Sequence, residues 1–273
     1  IAWRSETASA QIKSAILLAG LAAGVAVTVH EPARSRDHTE RMLAALGARV
    51  AVHGATVRLE PVERIAPLRI RVPADPSSAA FLAALAVLAD QGELTLPDVC
   101  LNPTRTGFYA ALARMGANLT LDEGESQGGE PVGTIVARPS SLSAIELGRD
   151  DVPSMIDELP LLACLAARAS GTTIIRGAEE LRVKESDRIA TVVGNLRAVG
   201  VTADELPDGM CIEGSDGAFR GRVHSHGDHR IAMAFGVLRA LPNSEIEIDD
   251  AACVSVSYPG FWNDIARAIV PDR

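Results

Sequence analysis

The pattern of apolar and polar positions repeats along the chain. An apolar helix, a short strand, a polar loop, an amphipathic helix ending near a glycine and a further strand recur in that order. The first copy opens at Ser9-Ala10-Gln11. It predicts a helix over Ala15–Leu21, a strand over Val25–Val29, a loop over Arg34–His38, a helix over Thr39–Leu46 and, after Gly47, a strand over Ala48–Val52. The second opens at Ser77-Ser78-Ala79, with helix Ala80–Leu88, strand Glu93–Leu96, loop Asn102–Thr106 and helix Gly107–Met115 closed by Gly116. The third opens at Asp157-Glu158-Leu159-Pro160, with helix Leu161–Ala169, strand Thr172–Arg176, loop Glu180–Ser186 and helix Asp187–Val199 before Gly200. The fourth opens at Asp228-His229-Arg230, with helix Ile231–Leu241, strand Ser244–Ile248 and helix Tyr258–Ile269. Units of this length are too long for a solenoid. They predict a few compact βαβ-type repeats around a shared core, in the α/β (α+β) class.

The stretches between repeats are rich in Pro and Gly. Glu60–Pro73 reads as a linker or domain crossing, and Gly124–Gly133 as a flexible hairpin tip; neither carries a functional signal. The longest apolar run, Ala15–Val29, holds Gly20, Gly24 and Thr28 and is shorter than the roughly 20 residues a membrane helix needs. It reads as a buried helix turning into a strand, and no membrane partner is expected.

Composition narrows the function classes. Aromatics make up only 3%, so the core must be aliphatic. The net charge of −9 weighs against nucleic acid as a partner, because binding to phosphate backbones rests on cationic patches. Cys100, Cys164, Cys211 and Cys253 lie far apart with no CxxC pair, which argues against a disulfide framework or zinc knuckle and fits a reducing, cytoplasmic compartment. No secretory signal is visible. The chain opens at Ile1 and is inside the repeat by Ser9, so a truncated or processed chain is expected.

The candidate chemistry sits at the helix starts. First-turn N–H groups are unpaired and the dipole is positive there, so these ends attract anions. Ser9/Gln11, Asp157/Glu158 and Asp228/His229/Arg230 occupy such positions, where ordinary capping by Ser and Asp is the simpler reading. Lys184-Glu185-Ser186-Asp187-Arg188 precedes another helix. Cations at a helix start are unfavourable unless an anion sits there, so Lys184, Arg188 and Arg230 point to an anionic ligand. Arg36-Asp37-His38-Thr39-Glu40 is a weaker case of the same kind. His224-Ser225-His226-Gly227-Asp228-His229 spells HxHxDH, the zinc-binding run of metallo-β-lactamase-type hydrolases. No histidine follows His229, however, and that family takes further ligands downstream. No P-loop, GxGxxG, GxSxG or HExxH occurs.

Eight runs occur in one order: SAQIKSAILLAGL, SRDHTERML, DPSSAAF, LNPTRTGF, DELPLLA, ELRVKESDRI, DHRIAMAF and VSVSYPGFW. Together they resemble the 5-enolpyruvylshikimate-3-phosphate synthase (EPSP synthase) family, from about Ser9 to the C-terminus. KESDR and DHRIA are the diagnostic pair. The resemblance implies a fold of repeated βαβαββ-like units with helix N-termini facing an interdomain cleft. Residues 1–72 would be the last unit of an incomplete N-terminal domain, and residues 73–273 the C-terminal domain.

The implied reaction transfers the enolpyruvyl group of phosphoenolpyruvate to the 5-hydroxyl of shikimate 3-phosphate. It proceeds by addition and elimination, releases phosphate, and uses no metal or organic cofactor. The family motifs put Ser9, Ala10, Gln11, Arg36, Asp157 and Lys184 on shikimate 3-phosphate. They put Gln11, Arg188 and Arg230 on phosphoenolpyruvate. Asp157 is the implied base or hydroxyl orienter, Glu185 the acid/base at the methylene carbon, and His229 a supporting residue. Two departures stand out. Val256-Ser257 precede Tyr258-Pro259 where some members carry a lysine. The family's lysine-bearing start, Gly-rich Thr/Arg loop and RPM-type arginine have no match in this chain. The expected partners are therefore the two substrates and the missing N-terminal portion, with the chain otherwise monomeric and inactive alone. The alternatives are a non-catalytic complementing fragment that binds its N-terminal half, and the HxHxDH metallohydrolase.

Overall fold

Ser9 sets where the first helix begins. Its side chain accepts from the Ile12 amide, and the helix runs from the next residue as α1 (Ala10–Ala23), ending at Gly24 in a left-handed conformation. The helix is therefore longer at both ends than the apolar run Ala15–Leu21 predicts, because capping rather than hydrophobicity fixes its start. The computed structural model describes residues 1–269 and parts into two compact units. The first comprises residues 1–73 with two later segments, 100–104 and 123–133; the second comprises residues 74–99, 105–122 and 134 onward.

In the first unit β1 (Ala2–Arg4), β2 (Val27–His30), β3 (Val50–His53) and β4 (Thr56–Leu59) form a sheet ordered β1-β2-β4-β3. β1 runs parallel to β2 and the other pairings are antiparallel. α2 (His38–Ala45) lies between β2 and β3 in sequence. The core is Leu17, Val27, Val29, Leu43, Ala48, Val57 and Leu59, aliphatic throughout, as the scarcity of aromatics requires. α1 turns only Lys13, Leu17 and Gly20 fully inward. Ile12 and Leu18 are exposed on it.

The second unit is built on three helices that pack on one another: α3 (Pro76–Leu88), α5 (Leu159–Ala166) and α7 (His229–Arg239). Every residue of α5 is buried, as are nine of α3 and eight of α7. A helix covered on all sides needs no polar stripe, which is why these segments read as nearly continuous apolar runs. Around them lie three small sheets. One orders β5 (Leu94–Cys100), β7 (Val132–Arg138) and β6 (Asn118–Glu123), with α4 (Gly107–Arg114) following β5. A second orders β10 (Ala203–Leu206), β11 (Gly209–Glu213), β9 (Thr172–Ile175) and β8 (Glu146–Leu147), with α6 (Arg188–Ala198) following β9. The third pairs β12 (Arg220–Val223) in parallel with β13 (Glu245–Ile248). The closing helix, α8 (Phe261–Ile269), packs against α3. A methyl group on Gly236 would come within 2.9 Å of Trp262 and 3.0 Å of Phe261, so only glycine lets these rings approach α7 so closely.

The repeat is realised as predicted, with shifted boundaries. Asp187 caps α6 rather than opening it, accepting from the Ala190 amide. The loop over Glu180–Ser186 contains a 3-10 turn at Glu179–Val183, and a second such turn at Ala251–Val256 delays the last helix from Tyr258 to Phe261. The hairpin β10–β11 has no counterpart in the sequence reading: its strands are short, and β10 is largely polar.

Candidate functional site

In the second unit the start of each central helix carries an acidic residue at the capping position. Asp75 accepts from the Ser77 and Ser78 amides at the head of α3. Asp228 accepts from the Arg230 amide at the head of α7. Glu158 occupies the same position before α5, at the end of a 3-10 turn over Ile156–Glu158, without a capping bond from its side chain. An arginine faces each of the three. Arg105 pairs with Asp75 at 3.1 Å, Arg188 with Asp228 at 2.8 Å, and Arg230 lies 3.6 Å from Glu158. The cations that the helix dipole disfavours are thus offset by carboxylates of the chain itself.

Arg188 is the hub. Its side chain is 1% exposed, and that of Asp228 is fully buried. Nε donates to Asp228 Oδ2 at 2.8 Å, and Nη2 donates to Glu185 Oε2 at 2.6 Å and to Asp228 Oδ1 at 3.3 Å. Nη1 makes no hydrogen bond and lies 3.7 Å from Asp157 Oδ1. Ser186 Oγ adds a further bond to Asp228 at 3.1 Å. Burial opposes ionisation of Asp228, but the Arg188 guanidinium, the Arg230 amide and Ser186 outweigh it and hold the carboxyl below its usual range. Arg230 completes the group: Nη2 is 3.6 Å from Asp157 Oδ2, and Nη1 donates to the Asp157 carbonyl at 3.4 Å.

The structure therefore brings Asp157, Glu185, Arg188 and Arg230 of the sequence-predicted set into one cluster. His229 is the first residue of α7; burial and then the Arg230 charge lower its pKa, favouring the neutral ring. Lys184 pairs with Glu180 one helical turn earlier. In the HxHxDH run, His224 bonds Asp249 at 3.2 Å, while Asp228 caps α7 and holds Arg188.

Ser9, Ala10 and Gln11 belong to the first unit, at the head of α1, and Arg36 lies in the loop before α2. One turn into α1, the buried Lys13 bridges Glu31 at 3.0 Å and Glu40 at 2.7 Å, tying α1 to both ends of the Arg36 loop.

A second cluster in the same unit was not foreseen. Glu130, in the stretch read as a flexible tip, is buried. It accepts from the His38 ring at 2.7 Å, from Asn102 at 2.8 Å and from Cys100 at 3.7 Å. His38, Cys100 and Glu130 form the one group among the described residues whose donor atoms sit close enough to share a metal ion. His38 and Cys100 are already bonded to Glu130, and Arg41 donates to the neighbouring Gly129 carbonyl, placing positive charge beside the cluster.

Asp37 anchors this network, accepting from Arg41 and Asn102 on one oxygen and from Arg34 on the other. Burial opposes its charge, but these bonds prevail and hold its pKa at about 2. A depressed folded-state value stabilises the fold above the ordinary value of 3.8, and that stabilisation is lost as pH falls through about 2. Asp37→Asn is expected to flatten this part of the acid limb. Urea unfolding of both proteins between pH 5 and about pH 2 checks it; parallel acid limbs would rule it out.

The comparisons with known proteins follow this geometry. The EPSP synthase of Acinetobacter baumannii superposes with a TM-score of 0.90 at 40% sequence identity, over 98% of this chain and 62% of that one. Residues 1–265 match the family described as EPSP synthase (3-phosphoshikimate 1-carboxyvinyltransferase). The chain belongs to the EPSP synthase family. Among its relatives, the 3-phosphoshikimate 1-carboxyvinyltransferase of Roseiflexus castenholzii is 49% identical over 95% of the chain, and that of Aquifex aeolicus 45% identical over 98%. The chain spans 61% and 64% of the length of those two relatives. Among the described residues, no helix is long and apolar enough to cross a membrane.

Proposed function

We propose that this chain is the larger part of an enzyme that transfers the enolpyruvyl group of phosphoenolpyruvate to the 5-hydroxyl of shikimate 3-phosphate, in the cytoplasm, releasing phosphate. The observation that carries the reading is the Asp157–Glu185–Arg188–Arg230 cluster: two carboxylates and two guanidiniums held together at the heads of buried helices. Both substrates carry phosphate and carboxylate. Arg230 and the unbonded Nη1 of Arg188 supply the donors for phosphoenolpyruvate. Ser9, Ala10, Gln11, Arg36 and Lys184 hold shikimate 3-phosphate. Asp157 orients the 5-hydroxyl and accepts its proton.

Glu185 protonates the methylene carbon of phosphoenolpyruvate as the hydroxyl oxygen attacks the neighbouring carbon. It then removes a proton from that same carbon as phosphate leaves, so one carboxyl group serves as acid and then base. Its half-exposed position fits this exchange of state. His229 supports Arg230 as a neutral neighbour.

The 273-residue chain alone is expected to be inactive, because the rest of the anion clamp and the exclusion of water need the portion that relatives have beyond it. Phosphate release from the two substrates is the test. Turnover by the protein at the full length of its relatives supports the assignment, and none there overturns it. Normal turnover by the 273-residue chain alone overturns the incompleteness.

One observation favours a complementing role for the isolated chain. Ile1, Trp3, Ile12, Leu18, Met42 and Val52 are exposed, all in the first unit. Exposed apolar side chains of this kind suit contact with a partner, and the missing N-terminal portion is the partner we propose. Co-elution with that portion expressed separately supports it.

A further inference from the structure

Glu158 has no part in the chemistry above, yet it is among the most deeply buried charged groups of the second unit, at 2% exposure. Its Oε1 atom is buried and accepts no hydrogen bond. Arg230, reaching over from α7, is its nearest counter-charge at 3.6 Å, too long for a hydrogen bond. Arg230 also serves Asp157 on the same turn. The other groups facing Glu158 come from α3 and from the segment entering α4. Ser77 hydrogen-bonds its carboxyl group, and Arg105 acts at longer range while itself paired with Asp75. Tyr109 is buried and donates its hydroxyl proton to the Pro76 carbonyl.

A buried carboxylate with one loosely held counter-ion is poised to change state when that counter-ion moves. We infer that Glu158 is a proton-coupled counter-ion of Arg230: an anionic ligand that engages Arg230 leaves Glu158 without its charge partner, and Glu158 Oε1 then takes a proton from solvent. This rests on the reading of Arg230 as a phosphoenolpyruvate contact. The balance is simple. One anion binds to the guanidinium, one proton adds to the carboxylate, and no covalent bond to the ligand forms. Burial already pushes the Glu158 pKa up, against the opposing effects of Ser77, Arg230 and Arg105 and with that of Asp157, so loss of Arg230 moves it further in the same direction. Neutralisation also avoids leaving an unpaired buried charge beside Asp157. Glu158 is in this sense a positioning residue, one that makes anion affinity depend on pH.

The test is calorimetry of phosphoenolpyruvate binding, with shikimate 3-phosphate present. It uses the protein at the full length of its relatives and its Glu158→Gln variant, in buffers of different ionisation enthalpy. The unchanged protein is expected to take up a larger fraction of a proton than the variant. The ratio of their affinities isolates Glu158 from the ligand's own titration and from His229. It is expected to fall as pH rises, by up to about tenfold per pH unit. Equal proton uptake with binding intact overturns the inference and leaves the enzyme assignment standing. Absence of binding by the unchanged protein removes both.

Should the variant fail to fold, infrared difference spectra of the unchanged protein decide the matter. Ligand-induced growth of a protonated-carboxyl band that exchanges slowly in D2O supports Glu158, because the half-exposed Glu185 would exchange quickly. No such band overturns it.

Discussion

Asp228→Ala is expected to destabilise the second unit by roughly 3–5 kcal/mol, the usual cost of leaving one member of a buried ion pair without its partner. Arg188 is almost fully enclosed and directs two of its nitrogens at Asp228. The mutation removes the acceptor, while Glu185 and Asp157 remain as only partial substitutes. It also removes the cap of α7, worth about 1 kcal/mol by itself. Asp228→Asn keeps a capping oxygen and is expected to lose less. The sign with pH follows from the depressed carboxyl. Stabilisation from Asp228 is present above the ordinary aspartate value and is lost as pH falls through the lowered one. Urea midpoints at constant slope measure the loss, and a change below about 1 kcal/mol would mean that Arg188 finds other partners.

Glu185→Gln is expected to do the opposite: little to stability and much to turnover. The Glu185 side chain is 53% exposed and its one strong contact is Arg188, which keeps Asp228 when Glu185 is neutralised. Such a change is expected to stay within about 0.5 kcal/mol in unfolding experiments. In the full-length protein the amide can neither give nor take the methylene proton, so phosphate release should fall by about 10²- to 10⁴-fold. The substrates should still bind, because both arginines remain. A variant within tenfold of normal turnover would remove Glu185 from the proton-transfer role. Loss of binding without loss of the chemical step would make it a positioning group for Arg188.

These two residues show how differently sequence and structure speak. KESDR marks a charged run before a helix, but spacing alone cannot separate a solvated cluster from a buried hub. Arg188 and Glu185 are three residues apart, so their contact is local, although Glu185 lies in the bend before α6 rather than on the helix. Asp228 lies 40 residues from Arg188, and only the packing of α6 and α7 brings them together. Glu130 shows the limit more plainly. It sits in a Gly-rich stretch that reads as a mobile tip, and its burial against His38 and Asn102 depends on contacts across 92 and 28 residues.

By itself the sequence determined the repeat, the class of each long helix, the aliphatic core of the first unit and the helix starts where charge gathers; it did not show that Phe81, Phe108, Phe235 and Phe261 would be buried in the second unit. Apolar periodicity and capping are local, and they survive without knowledge of neighbours. Tertiary structure decided which carboxylate neutralises which arginine, which charges are buried, and the return of residues 100–104 and 123–133 to the first unit. Those outcomes depend on distance and dielectric between segments far apart in the chain, and no local pattern encodes them.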